Sequence, residues 1–250
     1  MHRAAYAAAG LDWTYDAVDV PASSLAAVVG RLGDDVRGVS VTAPVKPEAA
    51  ALAEQRTDVV ARLGVANTLV RSGSGWRADN TDVPGSLAAL SEAGVVDVQT
   101  VRLLGAGATA VALAHALAEA GATSIEVVVR DPSRARDVLA AGAASGADVR
   151  VALLSEPAGA AADLLVSTIP VAAVADRAAE WAASASAAFD VVYDPWPTAL
   201  AEAASALGRP VVSGLDLLAH QAVLQLHQMA DVDVSPDLLR TAARTALAAR

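Results

Sequence analysis

The chain has 250 residues, 54% of them hydrophobic and only 3% aromatic, so Ala, Val and Leu must fill one large core or two modest ones. A net charge of −10 and a pI near 4.7 argue against nucleic-acid binding, which usually needs a basic face. Because cysteine is absent and no apolar run reaches the roughly 18 residues of a membrane span, we expect a cytoplasmic protein without disulfides, Cys-based metal sites or membrane attachment.

The first third of the chain alternates between short helices and short strands. The predicted helices lie at 2–9, 23–32, 48–63 and 84–93. The predicted strands lie at 14–20, 38–42, 66–71 and 75–78. The last two strands are joined by Ser72-Gly73-Ser74, which predicts a hairpin. This region therefore predicts an α/β unit of its own.

A glycine-rich turn follows a buried strand in Thr100 to Ala112, TVRLLGAGATAVA. Its pattern is G-x-G-x-x-A, with small residues at Gly105, Gly107 and Ala110. In dinucleotide-binding turns the first permits the tight turn, the second lets a pyrophosphate approach, and the third lets helix and strand pack closely. The helix N-terminus then offers N–H groups to the phosphates. The strand–turn–helix context is what the motif requires, so we predict a dinucleotide site here.

The second half of the chain alternates regularly between strands and helices. The predicted strands lie at 101–104, 125–129, 149–154, 164–168, 189–193 and 210–213, and the helices between them at 110–120, 133–144, 171–185 and 198–207. This pattern predicts a Rossmann-like, doubly wound parallel sheet. Two more helices, 217–229 and 236–250, have no place in that sheet and are expected to pack back on the first domain. The predicted domains are 1–82 with 217–250, and 83–216.

Three polar clusters stand at element ends in the first half. VSVTAPVK carries Thr42 and the rare Lys46, GVANTL carries Asn67, and Asp79 to Asp82 reads DNTD. Taken alone, each has a structural interpretation: a solvated lysine, a turn asparagine and a helix cap.

The order of these motifs along the chain is specific. GVSVTAPVK, GVANTLV, DNTDVPG and LLGAGATA come first, and DLLVSTIP, DVVYDPWPTAL and SGLDLLAHQAVLQ follow. In this order, over almost the whole chain, the sequence resembles the shikimate dehydrogenase family of aromatic amino-acid (chorismate) biosynthesis. The resemblance implies an NADP-dependent oxidoreductase that reversibly reduces 3-dehydroshikimate to shikimate, acting as a monomer or a homodimer.

The resemblance also implies site residues. Lys46 and Asp82 look like the catalytic pair that handles the hydroxyl proton, and which of the two transfers it stays open. The implied substrate-binding residues are Thr42, Asn67, Tyr193 and Gln221. The implied cofactor-binding residues are Gly105, Gly107, Ala108, Arg130, Arg134, Thr168 and Gly214. The four histidines, His2, His115, His220 and His227, show no metal-ligand spacing, and no metal site is predicted.

The cofactor choice depends on the residues after the second strand of the nucleotide domain. Arg130 and Arg134 match the arginine pattern that holds a ribose 2′-phosphate and favour NADP. Asp131 departs from the pattern, since it would either repel that phosphate or cap the next helix through Ser133. One alternative is therefore an NAD-dependent quinate/shikimate dehydrogenase, and a second, suggested by the start of the chain described next, is a non-catalytic dinucleotide-binding protein.

One departure concerns the start of the chain. Family members begin with a strand and an S-x-S loop that holds the substrate carboxylate, whereas Met1 to Tyr6 corresponds to the helix that follows. We expect either an upstream start or a truncated chain. As written, the chain is expected to bind cofactor and to have weak or no activity with shikimate.

Overall fold

The structure, a computed structural model, describes residues 1–249 and consists of two compact units. One contains Met1–Asp82 with the chain from Ala219 onward, and the other contains Val83–Leu218. None of the helices within residues 1–249 has both the length and the apolar character needed to cross a bilayer.

Helices and strands are numbered separately in chain order. The helices are α1 (His2–Ala8), α2 (Leu25–Val29), α3 (Lys46–Leu52), α4 (Asp58–Leu63), α5 (Asp82–Glu92), α6 (Ala108–Glu119), α7 (Arg136–Ala144), α8 (Ala178–Ala183), α9 (Ala199–Ala206), α10 (Gly214–Ala230) and α11 (Pro236–Ala248). The strands are β1 (Gly38–Ser40), β2 (Gln55–Arg56), β3 (Thr68–Ser72), β4 (Gly75–Asp79), β5 (Thr100–Leu104), β6 (Ser124–Val129), β7 (Asp148–Leu153), β8 (Ala162–Ser167), β9 (Ala185–Asp190) and β10 (Val211–Ser213).

The second unit is built on a six-stranded parallel sheet in the order β10-β9-β8-β5-β6-β7. Numbered within the unit, this order is 3-2-1-4-5-6 read from the β7 edge, which is the doubly wound dinucleotide-binding topology. The chain reverses direction across the sheet between β5 and β8, and in such folds ligands bind beyond the carboxyl ends of the strands at this point. The predicted Rossmann-like parallel sheet is confirmed.

A buried arginine crosses that sheet. Arg102 is 2% exposed and donates from Nε to Glu126 Oε2 at 2.6 Å. It also donates to the carbonyls of Ala160 at 2.8 Å and Ser184 at 3.3 Å. Arg150 Nε lies 3.4 Å from the other oxygen of Glu126, with 60% of its side chain exposed. Arg102 therefore connects the turn before β8 and the residue that precedes β9 to the sheet.

Replacing Arg102 with methionine is expected to lower the free energy of unfolding by about 2–4 kcal/mol, because the buried carbonyl of Ser184, the partly buried carbonyl of Ala160 and a mostly buried carboxylate lose their donor. Urea denaturation measures the loss. The matched control is Arg150→Met, which removes an exposed partner of the same carboxylate and should cost less than about 1 kcal/mol. Equal losses in the two variants would contradict this account of Arg102.

The first unit is built on a mixed four-stranded sheet in the order β1-β3-β4-β2. β3 pairs antiparallel with both β1 and β4, and β2 pairs parallel with β4. The predicted hairpin is thus present as β3 and β4. Helices α10 and α11 pack against α1 through a cluster of buried apolar residues: Ala5, Tyr6, Ala219, Ala222, Leu226 and Leu239. The expectation that the last two helices pack back on the first domain is confirmed.

The predicted helix at 48–63 is wrong in its continuity. It is divided into α3 and α4 by β2, whose residues Gln55–Arg56 pair with β4. The Glu54 carboxylate accepts the Trp76 N–H at 2.6 Å, and the Thr57 N–H donates to the Ala78 carbonyl at 3.1 Å. Hydrogen bonds to the hairpin therefore replace the helical bonds at this point.

The predicted strand at 14–20 is also wrong, because the segment has no regular secondary structure and pairs with no strand in the described residues. It is attached to α1 by side chains instead. The Tyr15 ring stacks on His2 with centroids 4.3 Å apart, and Arg3 Nε donates to the Tyr15 carbonyl at 2.7 Å.

The predicted helix at 171–185 is reduced to two 3-10 turns and α8, and the next strand begins at Ala185 rather than at the predicted residue 189. Residues 185–188 are ASAA, a sequence of high helix propensity. They nevertheless pair with β8, and β9 lies between β8 and β10. The ladder hydrogen bonds and burial of this central position override the local propensity.

Candidate functional site

A buried ion pair lies at the centre of the first unit's polar residues. Lys46 begins α3 and Asp82 begins α5. Lys46 Nζ lies 2.6 Å from Asp82 Oδ2, and the two side chains are 8% and 6% exposed. Taking two charges out of water is costly, so such a pair is weak evidence for stability and a candidate for chemistry.

Asn67 connects this pair to two other elements. Its Nδ2 lies 2.9 Å from Asp82 Oδ1, 3.0 Å from Thr81 Oγ1 and 3.0 Å from Gln221 Oε1. An amide has two N–H donors, so these three acceptors share them. Asn67 Oδ1 accepts the backbone N–H of Thr81 at 2.8 Å. The structure therefore brings together four residues named from the sequence, Lys46, Asn67, Asp82 and Gln221.

The turn between β4 and α5 is held by its own side chains. Asp79 Oδ1 accepts the Asn80 N–H at 2.8 Å, and Asn80 Oδ1 accepts the Asp82 N–H at 3.1 Å. Asn80 Nδ2 donates to the Val65 carbonyl at 3.0 Å. Asn80, rather than Asp82, is thus the residue whose side chain caps α5. The carboxylate of Asp82 is therefore available for its hydrogen bonds with Lys46 and Asn67.

Two residues of this network were missed by the sequence reasoning. Gln225 is 1% exposed and donates to the Asn67 carbonyl at 3.1 Å. Gln228 donates to Asp79 Oδ2 at 2.6 Å. Both follow Gln221 on α10 at positions i+4 and i+7, which lie on one helical face. That spacing is visible in the sequence and could have identified them.

Among the described residues, the Thr42 side chain makes no hydrogen bond with Lys46, Asn67, Asp82 or Gln221. It is exposed and follows β1 in a turn whose Ala43–Pro44 peptide is cis. Its carbonyl accepts the Val45 N–H at 3.2 Å. Its position close in sequence to Lys46 is the feature that keeps it a candidate.

The glycine turn of the second unit has the shape that a dinucleotide needs. Gly105 has φ +111°, and a Cβ there would lie 2.3 Å from Thr168 Oγ1. Gly107 precedes α6, whose first residue is Ala108, and a Cβ on Gly107 would meet nothing within 4 Å. The turn therefore packs tightly on one side and is open at Gly107, where the first N–H groups of α6 have no helical acceptor. This arrangement fits a bound pyrophosphate.

The residues after β6 include both predicted arginines. Arg130 and Arg134 are exposed. Between them, Asp131 Oδ1 accepts from the Ser133 hydroxyl at 2.8 Å and from the Ser133 N–H at 3.0 Å. These hydrogen bonds hold the pKa of Asp131 below its usual value. Asp131 thus caps the turn that follows, the second of the two roles that the sequence allows.

The loop after β9 carries Tyr193, which is 39% exposed. The loop is anchored by Asp190, which is buried and accepts from Thr198 Oγ1 at 2.7 Å. Burial raises the pKa of Asp190. Gly214, at the start of α10, contacts the same loop so closely that a Cβ there would lie 2.0 Å from the Val191 carbonyl oxygen. The backbone approach at Gly214 therefore requires glycine.

Comparison with known proteins gives consistent findings. A family model described as the shikimate dehydrogenase substrate binding domain matches residues 1–69. A shikimate dehydrogenase (NADP(+)) of Moorella thermoacetica is 35% identical over 88% of this chain and 79% of its own. Among solved structures, Mycobacterium tuberculosis shikimate dehydrogenase has 39% identity and a TM-score of 0.89, covering 98% of this chain and 92% of that one.

A second solved structure bears on the ligands. The shikimate 5-dehydrogenase of Thermus thermophilus, in complex with NADP(H) and shikimate, is 29% identical with a TM-score of 0.81. The match covers 98% of this chain and 92% of that one.

Proposed function

This chain belongs to the shikimate dehydrogenase family, and we propose that it reversibly reduces 3-dehydroshikimate to shikimate with NADP(H). The observation that carries the proposal is the buried pair of Lys46 and Asp82 at 2.6 Å, joined by Asn67 to Gln221. Relatives named for the same reaction and the Thermus complex with both ligands support it.

In this proposal, one domain binds the substrate and the other binds the cofactor. The domain of residues 1–82 and 217–250 binds the substrate, with Asn67, Gln221 and Thr42 meeting its hydroxyl groups. The domain of residues 83–216 binds the cofactor. Tyr193 belongs to this domain and is proposed as a substrate-binding residue. Hydroxyl groups both donate and accept hydrogen bonds, so amide side chains and a lysine–carboxylate pair are suitable partners for them.

The Lys46–Asp82 pair handles the proton of the substrate hydroxyl. Oxidation of the secondary alcohol removes a hydride and an O–H proton, and the proton needs an acceptor within hydrogen-bond reach. NADP(H), when bound, accepts or supplies the hydride. Because Lys46 and Asp82 share a short hydrogen bond, we treat them as one proton-holding group rather than as an acid and a separate base. Asn67 keeps Asp82 oriented toward Lys46 through its other oxygen.

The cofactor residues follow from the turn and the arginines. Gly105 and Gly107 admit the pyrophosphate, and the N–H group of Ala108 at the start of α6 donates to it. Arg130 and Arg134 hold the 2′-phosphate. Thr168, which donates to the Leu104 carbonyl at 2.9 Å, and Gly214 shape the rest of the cofactor site.

The function is tested by following NADPH formation when the purified chain is given shikimate and NADP⁺, with quinate and NAD⁺ as separate arms. We expect turnover with shikimate and NADP⁺, at the weak level that the sequence leads us to expect. Turnover with quinate and NAD⁺ alone would support the NAD-dependent alternative. NADPH binding without turnover of either substrate would contradict the proposed activity of this chain.

Removing both arginines, as Arg130→Ala with Arg134→Ala, is expected to weaken NADPH binding by about 10–100-fold and NADH binding by no more than about threefold. The 2′-phosphate, which NADH lacks, loses its cations. Fluorescence titration with the two cofactors measures both constants. Arg136→Ala is the matched control, since Arg136 is an exposed neighbour whose Nε pairs with Asp137 at 3.2 Å. Equal weakening for both cofactors would argue against a 2′-phosphate site at these arginines.

A further inference from the structure

A chain of hydrogen bonds, partly buried at Ser40 and buried from Gln225 onward, leads from β1 to the side chain of Asn67. Ser40 Oγ donates to Gln225 Oε1 at 2.9 Å. Gln225 Nε2 donates to the Asn67 carbonyl at 3.1 Å and to Thr68 Oγ1 at 3.0 Å. Thr68 Oγ1 donates to Asn67 Oδ1 at 2.7 Å. Thr68 is 0% exposed and Gln225 is 1% exposed, so no solvent donor competes with these bonds.

The direction of this chain is determined by what each group can donate. The backbone carbonyl of Asn67 can only accept, so Gln225 must present its NH₂ group to it, and the Gln225 Oε1 on the other side then accepts from the Ser40 hydroxyl. The NH₂ group only donates, and Thr68 Oγ1 must therefore accept from it. The single hydroxyl hydrogen of Thr68 is then directed to Asn67 Oδ1. The oxygen of the Asn67 amide thus faces Thr68 Oγ1 and the backbone N–H of Thr81, and its NH₂ group faces Asp82, Thr81 Oγ1 and Gln221.

We propose that Gln225 and Thr68 are positioning residues that hold the Asn67 amide with its N–H groups toward Asp82 and the substrate. The inference rests on the proposed function for its catalytic consequence. Gln225 holds Asn67 at two places, directly at the backbone carbonyl and through Thr68 at the side chain. Neither residue touches the Lys46–Asp82 pair, so both act on the site through Asn67.

The main test is Thr68→Val, which keeps the shape of the side chain and removes its hydroxyl. The KM for shikimate is expected to rise by about tenfold, while the Kd for NADPH changes by less than about twofold, because the cofactor residues lie in the other unit. Thr68→Ser restores the hydroxyl and should return KM to within about threefold of the unsubstituted chain. A lower Tm with an unchanged KM in Thr68→Val would show a purely structural role and overturn the proposal.

A second measurement does not depend on turnover. In a ¹⁵N-labelled chain, the two Nδ2 hydrogens of Asn67 report its amide environment, and Asn67→Ser assigns their signals by loss. We expect Thr68→Val to shift or broaden these signals, and Gln225→Met to do the same. The matched control is Thr57→Val, which removes a hydroxyl that donates to Asp79 Oδ1 at 2.9 Å and should leave the Asn67 signals in place.

The two measurements separate the two proposals. If the unsubstituted chain does not oxidise shikimate, the proposed function fails, and the Asn67 signals alone decide whether the amide is held by Thr68 and Gln225. If the unsubstituted chain is active but the signals and KM are unaffected in Thr68→Val, the positioning role fails and the proposed function stands.

Discussion

Replacing Lys46 with methionine is expected to lower kcat for shikimate oxidation by about 10²–10⁴-fold, the usual contribution of a positioned proton-transfer group. Methionine fills a similar volume but can neither donate nor accept the proton of the substrate hydroxyl. The Asp82 carboxylate remains, yet it loses the ammonium group that lies 2.6 Å from Oδ2. Steady-state kinetics at saturating shikimate and NADP⁺ measures the effect.

The same substitution also affects stability, and the two effects can be separated. Removing one member of a buried ion pair leaves an uncompensated charge and costs about 3–5 kcal/mol. The double variant Lys46→Met with Asp82→Asn removes that charge, so it should recover most of the stability and none of the kcat. NADPH titration of both variants checks that the cofactor unit is intact, and we expect unchanged NADPH binding in each. A kcat within a few-fold of the unsubstituted chain in either variant would refute the role given to Lys46.

The parallel sheet of the second unit was predictable because its local signals agree with one another. In β5 and α6, a buried and mostly apolar strand, two glycines and an Ala-rich helix follow one another at the spacing that the dinucleotide turn requires. Gly105 adopts φ +111°, a conformation that glycine alone adopts readily. The apolar strand residues, the glycines of the turn and the alanines of the helix each favour the local structure that they adopt, so the sequence pattern predicted these elements correctly.

Other elements could not be predicted because distant partners decide them. The ASAA segment of β9 has helical propensity and becomes a strand because β8 and β10 pair with it on both sides. The helix predicted from residue 48 is interrupted where Glu54 and β2 bond to the hairpin. In both cases the deciding hydrogen bonds come from residues more than 20 positions away.

The candidate site was predictable by residue type and not by geometry. The motifs named Lys46, Asn67, Asp82 and Gln221 separately, and only the fold shows that the Asn67 amide joins the last two. Gln225 was overlooked because it touches Asn67 at its backbone carbonyl and through Thr68. The trace that it leaves in the sequence is its i+4 spacing from Gln221 on α10.

Replacing Gly107 with alanine is expected to weaken NADPH binding by about tenfold or more while changing the free energy of unfolding by less than about 1 kcal/mol. The φ of Gly107 is −85°, which alanine adopts freely, and its Cβ would meet nothing within 4 Å. The protein itself therefore accommodates the methyl group. The pyrophosphate, which must approach the backbone at this position, does not.

Two glycine variants make this prediction specific to the cofactor. Gly105→Ala places a Cβ 2.3 Å from Thr168 Oγ1 at φ +111°, so it should lose both stability, by about 1–3 kcal/mol or more, and NADPH binding. Gly146→Ala imposes a similar strain at φ +96° with nothing within 4 Å, and should lose stability alone. Calorimetry and NADPH titration of the three variants give the two quantities independently. A bound pyrophosphate is the group that the new methyl group would meet at this turn, since no protein atom beyond the adjoining residues lies within 4 Å of it. Unchanged NADPH affinity in Gly107→Ala would therefore mean that the pyrophosphate does not approach this turn.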